Sequence, residues 1–177
     1  MRREWGIMKK TVLIVVVILA LVVGATAYMN RGDLAAKRES QQDAYVLIKS
    51  GGSEAVRIDL EKLKQMNVVD VEANLKRSGK PAEKHVYTGV LLKEVLEEAG
   101  VDTAGKDTVI MKAVDGYTSA IGMGEALQDD NVYLVFKMDG EPLGTKEEGG
   151  SGPLQVIIAK DPFSQRWCKF VMEIELQ

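Results

Sequence analysis

The segment GGSGPLQVIIAKDPFSQRWCKF, Gly149 to Phe170, gathers side chains of this 177-residue chain that could do chemistry. Its glycine-rich loop, Gly150-Ser151-Gly152, is a backbone type whose N–H groups can cradle an anion. Arg166 and Lys169 follow and flank Cys168, the single cysteine. A guanidinium and an ammonium near such a loop suggest charge-assisted contacts to an anionic ligand. A glycine-rich loop also occurs in ordinary turns, and Glu147 and Glu148 before this one would repel a phosphate. The other reading is therefore two strands joined by a loop, with Lys169 paired to a carboxylate on a solvated face.

Period 2 along the last strand puts Cys168, Phe170, Met172, Ile174 and Leu176 on one face. Trp167, Lys169, Val171, Glu173 and Glu175 fall on the other. Cys168 thus shares the core face, where a cysteine behaves as a small hydrophobe. A reactive or metal-binding thiolate would need an electropositive, partly exposed setting, which Arg166 and Lys169 could supply. His85 is the only histidine. It reads as exposed in a polar loop, SGKPAEKH, and is the one histidine that a catalytic triad could use. No His/Cys/Asp spacing resembles a zinc site, so no metal site is expected. Tyr117 follows the Asp115-Gly116 turn and either points into a cleft or packs. The pairs Asp129-Asp130 and Glu147-Glu148 read as loop carboxylates, and no catalytic residue is identified.

The elements that must position these groups are mostly strands. AYVLIKS is a strand, and VRIDLEKLKQM turns from extended to helical after Asp59, an expected N-cap. VVDVEANLKR alternates Val69, Val71, Ala73 and Leu75 and reads as a half-buried strand. YTGVLLKEVLEEAGV reads as the clearest helix, with Val90, Leu91, Val95 and Leu96 as its apolar stripe and Gly100 as its stop. DTVIMKAVDGYTSAIGM is a hairpin signal around Asp-Gly, GEALQDD a short helical turn, and NVYLVFKMDGEPLG a second strand with Asp-Gly. LQVIIA and RWCKFVMEIEL close the chain. One α+β (mixed α/β) domain over 43–177 is expected, preceded by an N-terminal hydrophobic helix.

That N-terminal stretch differs in kind. Arg2, Arg3, Lys9 and Lys10 precede an unbroken apolar run from Val12 to Val23, and no charge falls between Lys10 and Arg31. Residues 1–29 read either as a signal peptide, with Ala25-Thr26-Ala27 as cleavage site, or as a membrane anchor. Thr11 to Met29 at ~1.5 Å per residue approaches a hydrocarbon core of about 30 Å. Residues 30–42 form a polar spacer. Both readings make the domain extracytoplasmic, in a bacterial setting, with the membrane as a partner through this segment. Beyond residue 27 the chain holds 19 basic and 25 acidic side chains, a net −6, which argues against a nucleic-acid partner. One cysteine allows no internal disulfide, so the core must supply the stability.

The order of motifs from Val68 to Leu176 resembles the molybdopterin-binding domain of the sulfite oxidase family of oxidoreductases. The matching pieces are YTGVLL, VDGY, MDGEPL, GGSGPLQ and RWCKFV. The resemblance implies the family's mixed α/β fold and a site for a pterin-dithiolene molybdenum cofactor. It also implies a metal-binding cysteine before the helix, but VEANLKRSGKPAEKHVYTG contains none. Arg166 and Lys169 match the basic residues of the closing motif, and Gly150, Gly152 and Pro153 match the strand entrance. Gln155 stands where the family motif has arginine. Without a soft sulfur donor the metal chemistry loses its protein ligand. The cofactor is therefore left open: molybdopterin by resemblance, molybdenum without its usual thiolate.

Three functions are compatible with this sequence. The first is a module binding a small anionic ligand or a redox partner protein. The second is a small molybdenum-cofactor oxidoreductase. The third is a ligand-free interaction domain of a membrane complex.

Overall fold

The computed structural model describes residues 15–26 and 44–177. The chain divides into two units, Met1–Glu39 and Ser40–Gln177. In the first, residues 15–26 form helix α1, whose valines, isoleucine and leucines are exposed. Among the described residues no helix is long and apolar enough to cross a membrane. Residues 1–14 and 27–29 of the expected 1–29 segment and the whole of the 30–42 spacer lie outside the described residues.

The second unit is a mixed α/β domain. Its elements are β1 (Tyr45–Ser50), β2 (Val56–Asp59), α2 (Leu60–Leu63), β3 (Val69–Lys76), β4 (Ala82–Leu91), α3 (Leu92–Glu98) and β5 (Thr108–Ala113). They continue through β6 (Thr118–Gly122), α4 (Met123–Ala126), β7 (Val132–Met138), β8 (Glu141–Pro142), β9 (Gln155–Ile158), a 3₁₀ turn (Ser164–Arg166) and β10 (Val171–Leu176). One sheet runs β2-β1-β10-β5-β6, with β1 and β10 parallel. The other runs β3-β4-β7-β8, with β9 also paired to β7. One cluster of buried side chains takes residues from both sheets. Val132 to Phe136 are buried without interruption, as a strand covered on both faces requires.

The expected helix over YTGVLLKEVLEEAGV begins later than its apolar stripe suggests. Tyr87 to Leu91 belong to β4, and α3 starts at Leu92. Tyr, Thr and Val favour the pleated strand, whereas LKEVLEE consists almost entirely of helix formers. Val90, Leu91, Val95 and Leu96 are all buried, but on two elements. Gly89 marks the switch: a Cβ there would lie 2.3 Å from the Leu134 carbonyl oxygen. The β4–β7 register shifts between Thr88 and Gly89.

The polar loop SGKPAEKH is also shorter than expected. Lys76 pairs with Ala82, and β4 already includes Ala82 to His85. Asp59 precedes α2 as expected, but its carboxylate accepts from Arg57 Nε at 2.6 Å instead of capping the helix.

The last strand keeps its predicted face only in part. Ile174, Leu176 and Cys168 are buried, but so are Trp167 and Val171, and Met172 is exposed. Two features break the alternation. Phe170 adopts φ +53, and the β10–β5 register shifts between Val171 and Glu173.

Candidate functional site

A cleft of about 60 Å³ forms where β3, β4, β7, β9 and the glycine loop converge. Leu75, Tyr87, Met138 and Leu143 give it apolar walls. Arg77, Ser151, Gln155 and Lys169 give it polar ones.

The glycine loop forms one rim through Gly149 and Gly150. A Cβ on Gly150 would meet the Leu143 and Gly144 carbonyl oxygens at 2.3 and 2.4 Å, and one on Gly152 would meet Leu143 Cβ at 2.5 Å. The loop is packed this closely because its own N–H groups fold it. Gly149 donates to Lys146, Gly150 to Thr145, Ser151 to Leu143 and Gly152 to Gly144, all carbonyls 2.8–3.1 Å away. The expected backbone cradle is thus corrected. These donors are engaged within the protein, and the loop contributes shape and the Ser151 side chain.

Lys169 lines the cleft, and its ammonium has no hydrogen-bond or ion-pair partner among the described residues. Arg77 reaches Glu83 only at 3.9 Å. Gln155 is 1% exposed and Tyr87 also 1%, yet neither side chain has a hydrogen-bond partner among the described residues. Among the described residues the one fully enclosed side-chain polar atom without a hydrogen-bond partner is His85 Nε2, with a Glu83 oxygen 3.7 Å away. The Gln155 carboxamide and the Tyr87 hydroxyl are therefore not sealed, and the cleft is what they open onto. Burial, then the charge of Asp139, push the Tyr87 phenol up to about 12, while Arg77 pulls the other way. The phenol is a proton donor at neutral pH. A guanidinium, an ammonium, an amide, a phenol and a hydroxyl around apolar walls form a donor-rich pocket for a small oxyanion.

Arg166 does not join this cleft, which corrects its expected pairing with Lys169. Its guanidinium donates to both Glu125 oxygens at 2.8 and 2.9 Å and to Asp161. These bonds, Glu125 first, hold its pKa above the usual guanidinium range. Tyr117 is also elsewhere, donating its hydroxyl to the Gln165 carbonyl at 2.9 Å. With Ser119, which donates to the Arg166 carbonyl, it secures the 3₁₀ turn. His85 is less exposed than expected, at 18% of its side chain, because it stands on β4. Its Nδ1 lies 2.7 Å from an Asp139 carboxylate oxygen, and its ring meets Tyr87 edge-on.

Gln155, Arg77 and Tyr87 were not singled out as site residues from the sequence. Signals existed for each. Gln155 replaces a motif arginine, Arg77 falls in the segment where the family places its metal ligand, and Tyr87 opens the YTGV motif.

The implied molybdenum cofactor can be tested against these residues. Cys168 is 0% exposed, and burial, then Asp115, push its thiol up to about 12. A metal needs the thiolate, which such a site withholds. Among the described residues no group of three His, Cys, Asp or Glu could hold a metal ion. The cleft is also small, since pockets for ligands of pterin size run to about 300–1,000 Å³. A larger groove, of about 610 Å³, has Asp70, Glu72 and Asp130 in its walls and opposes an anionic cofactor. The residues present do not fit the thiolate-ligated metal or the pterin.

The fold has a solved counterpart in the sulfane dehydrogenase SoxCD from Paracoccus pantotrophus, with a TM-score of 0.63 at 19% identity. The likeness covers 77% of this chain but 38% of that one, so the chain spans well under half of that protein. No curated protein matches the sequence. The sequence model of the oxidoreductase molybdopterin binding domain matches residues 35–177, which takes in every element that builds the cleft. The chain belongs to the oxidoreductase molybdopterin-binding domain family.

Proposed function

We propose that this domain is an extracytoplasmic ligand-binding module in which the cleft at Lys169 takes a small oxyanion. The N-terminal apolar segment either exports it or anchors it in a membrane. One observation carries the reading. Lys169, Gln155 and Tyr87 line one cleft, and the ammonium, the carboxamide and the phenol have no hydrogen-bond partner among the described residues.

A bound oxyanion would accept from the Gln155 amide and the Tyr87 phenol, each hydrogen bond contributing about 0.5–1.5 kcal/mol. Lys169 and Arg77 supply charge, and Gln155, Tyr87 and Ser151 supply directed donors. The four apolar side chains limit the size of what enters.

Calorimetric titration of the full chain with sodium phosphate and sodium sulfate tests the proposal. Saturable binding at one site, weakened about tenfold by Lys169→Ala, is expected. No saturation up to tens of millimolar would refute it. Family membership favours a second reading, a small molybdenum oxidoreductase. It requires molybdenum and pterin in protein exported by a host that makes the cofactor.

A further inference from the structure

We infer that the free edge of β3 is a docking site for an extended segment of a partner protein that alternates basic and apolar residues. Among the described residues β3 pairs only with β4 and forms an edge of its sheet. Its last residue shows which way the edge faces. The Lys76 N–H donates to Ser164 Oγ at 2.9 Å, and that hydroxyl donates back to the Lys76 carbonyl at 3.1 Å. Both Lys76 backbone groups therefore point away from β4. By the two-residue period so do those of Asn74, Glu72 and Asp70. The partner strand agrees. Val86, opposite Glu72, donates its N–H to the Asp139 carboxylate and accepts from the Asp139 N–H. Neither group is directed at Glu72. The 3₁₀ turn blocks the edge at Lys76 and leaves the Asp70–Asn74 stretch open.

A groove of about 610 Å³ runs along this stretch. It touches Val69 and Val71 from one face of β3 and Asp70 and Glu72 from the other, as a groove at the edge itself must. On the core face, Val69 and Val71 are half-buried whereas Ala73 and Leu75 are buried. The groove continues the core uncovered, with Tyr133 and Ala159 beyond it. Its charge selects the occupant. Asp70, Glu72 and Asp130 face one cation, Lys160, whose ammonium already donates to the Asp129 carbonyl at 2.8 Å. Asp70 accepts from the Thr88 hydroxyl, and Glu72 pairs with exposed Lys84. Both remain open to a further cation. A strand added here gains main-chain hydrogen bonds and sets basic residues beside the carboxylates and apolar ones beside the valines. A second copy fits worse. An antiparallel β3–β3 pair centred on Glu72 sets acid against acid, and the blocked Lys76 prevents the shift that would pair it with Asp70.

Fluorescence anisotropy with a labelled Lys-Val-Lys-Val-Lys-Val peptide and the full chain in mild detergent tests this. Saturable binding is expected, at least tenfold tighter than for the block peptide Lys-Lys-Lys-Val-Val-Val. The double variant Asp70→Lys/Glu72→Lys should lose at least tenfold and prefer Glu-Val-Glu-Val-Glu-Val. Glu72→Pro, which removes one outward N–H from an edge strand, should weaken binding with little change in melting temperature. Equal binding of both peptides, equal binding by wild type and the charge-reversed variant, or no saturation overturns the inference. So does a dimer, seen by light scattering, that the charge-reversed variant abolishes.

Discussion

Arg166 and Lys169 stand three positions apart and face different surroundings. Arg166 forks onto Glu125 and reaches Asp161, whereas Lys169 lines the cleft with no described partner for its ammonium. The left-handed backbone of Phe170 and the bulge after Val171 accompany this separation. Arg166 thus serves as a strut to the acids at 125 and 161, while Lys169 lines the cleft.

Alanine at these two positions should separate stability from binding. Arg166→Ala removes a bidentate, partly exposed pair and should cost about 1 kcal/mol, or about 3–5 °C in melting temperature. Its phosphate affinity should stay within about twofold. Lys169→Ala should leave the melting temperature nearly unchanged and lose about tenfold in phosphate affinity. Thermal melts and calorimetry on both variants check this, and the opposite pattern would move the anion site to Arg166.

Gly150 and Gly124 offer a second contrast. Gly150→Ala places a methyl against two backbone carbonyls, which cannot swing aside, and should cost about 1–3 kcal/mol and deform the rim beside Ser151. Gly124 lies in α4 with nothing within 4 Å of its would-be Cβ, so alanine there should be neutral or stabilising by up to about 1 kcal/mol. Urea melts of the two variants decide it, and equal stabilities would contradict the close packing of the loop.

Cys168 and Tyr87 contribute to the alkaline limit of stability. Both groups titrate near 12 in the folded protein because burial disfavours their charged forms. The unfolded chain releases those protons first, at about 8.5 for cysteine and about 10 for tyrosine. Stability from this source is complete below those values and is lost as pH rises toward 12. Cys168 should also resist a thiol reagent at pH 8 until the protein unfolds. Rapid labelling of the native state would contradict its burial.

Glu173 works on the acid side. It sits between Lys112, at 2.8 Å, and Lys49 on the neighbouring strands, with 12% of its side chain exposed. The bond to Lys112, then that to Lys49, hold its pKa below the usual carboxylate range. The unfolded chain binds the proton first, so this stability is present above about pH 4.3 and is lost as pH falls through the folded value. Glu173→Gln should therefore flatten the acid limb of a stability–pH curve measured by urea melts. An unaltered limb would mean that the lysines do not act on Glu173.

Much of this was legible in the sequence. The two Asp-Gly hairpins, the strand of alternating Val69, Val71, Ala73 and Leu75, and the burial of Cys168 follow from turn chemistry and period-2 patterning. The start of α3 did not. Val90 and Leu91 fall in helical register with Val95 and Leu96, and only tertiary pairing with β7 makes them strand. The site was half legible. Lys169, Gly150 and Ser151 do meet, but Arg77 and Tyr87 arrive from strands distant in sequence. Arg166 is removed by acids at 125 and 161 that no local pattern connects to it.

In the proposed function the cleft binds a small oxyanion through Lys169, Gln155 and Tyr87. The most direct measurement is phosphate titration of the full chain, exported in a molybdopterin-competent host, followed by calorimetry and by elemental and pterin analysis of the same sample. Saturable phosphate binding is expected, about tenfold weaker in Lys169→Ala, in protein without stoichiometric molybdenum. Stoichiometric molybdenum with pterin, and phosphate binding that ignores Lys169, would contradict it.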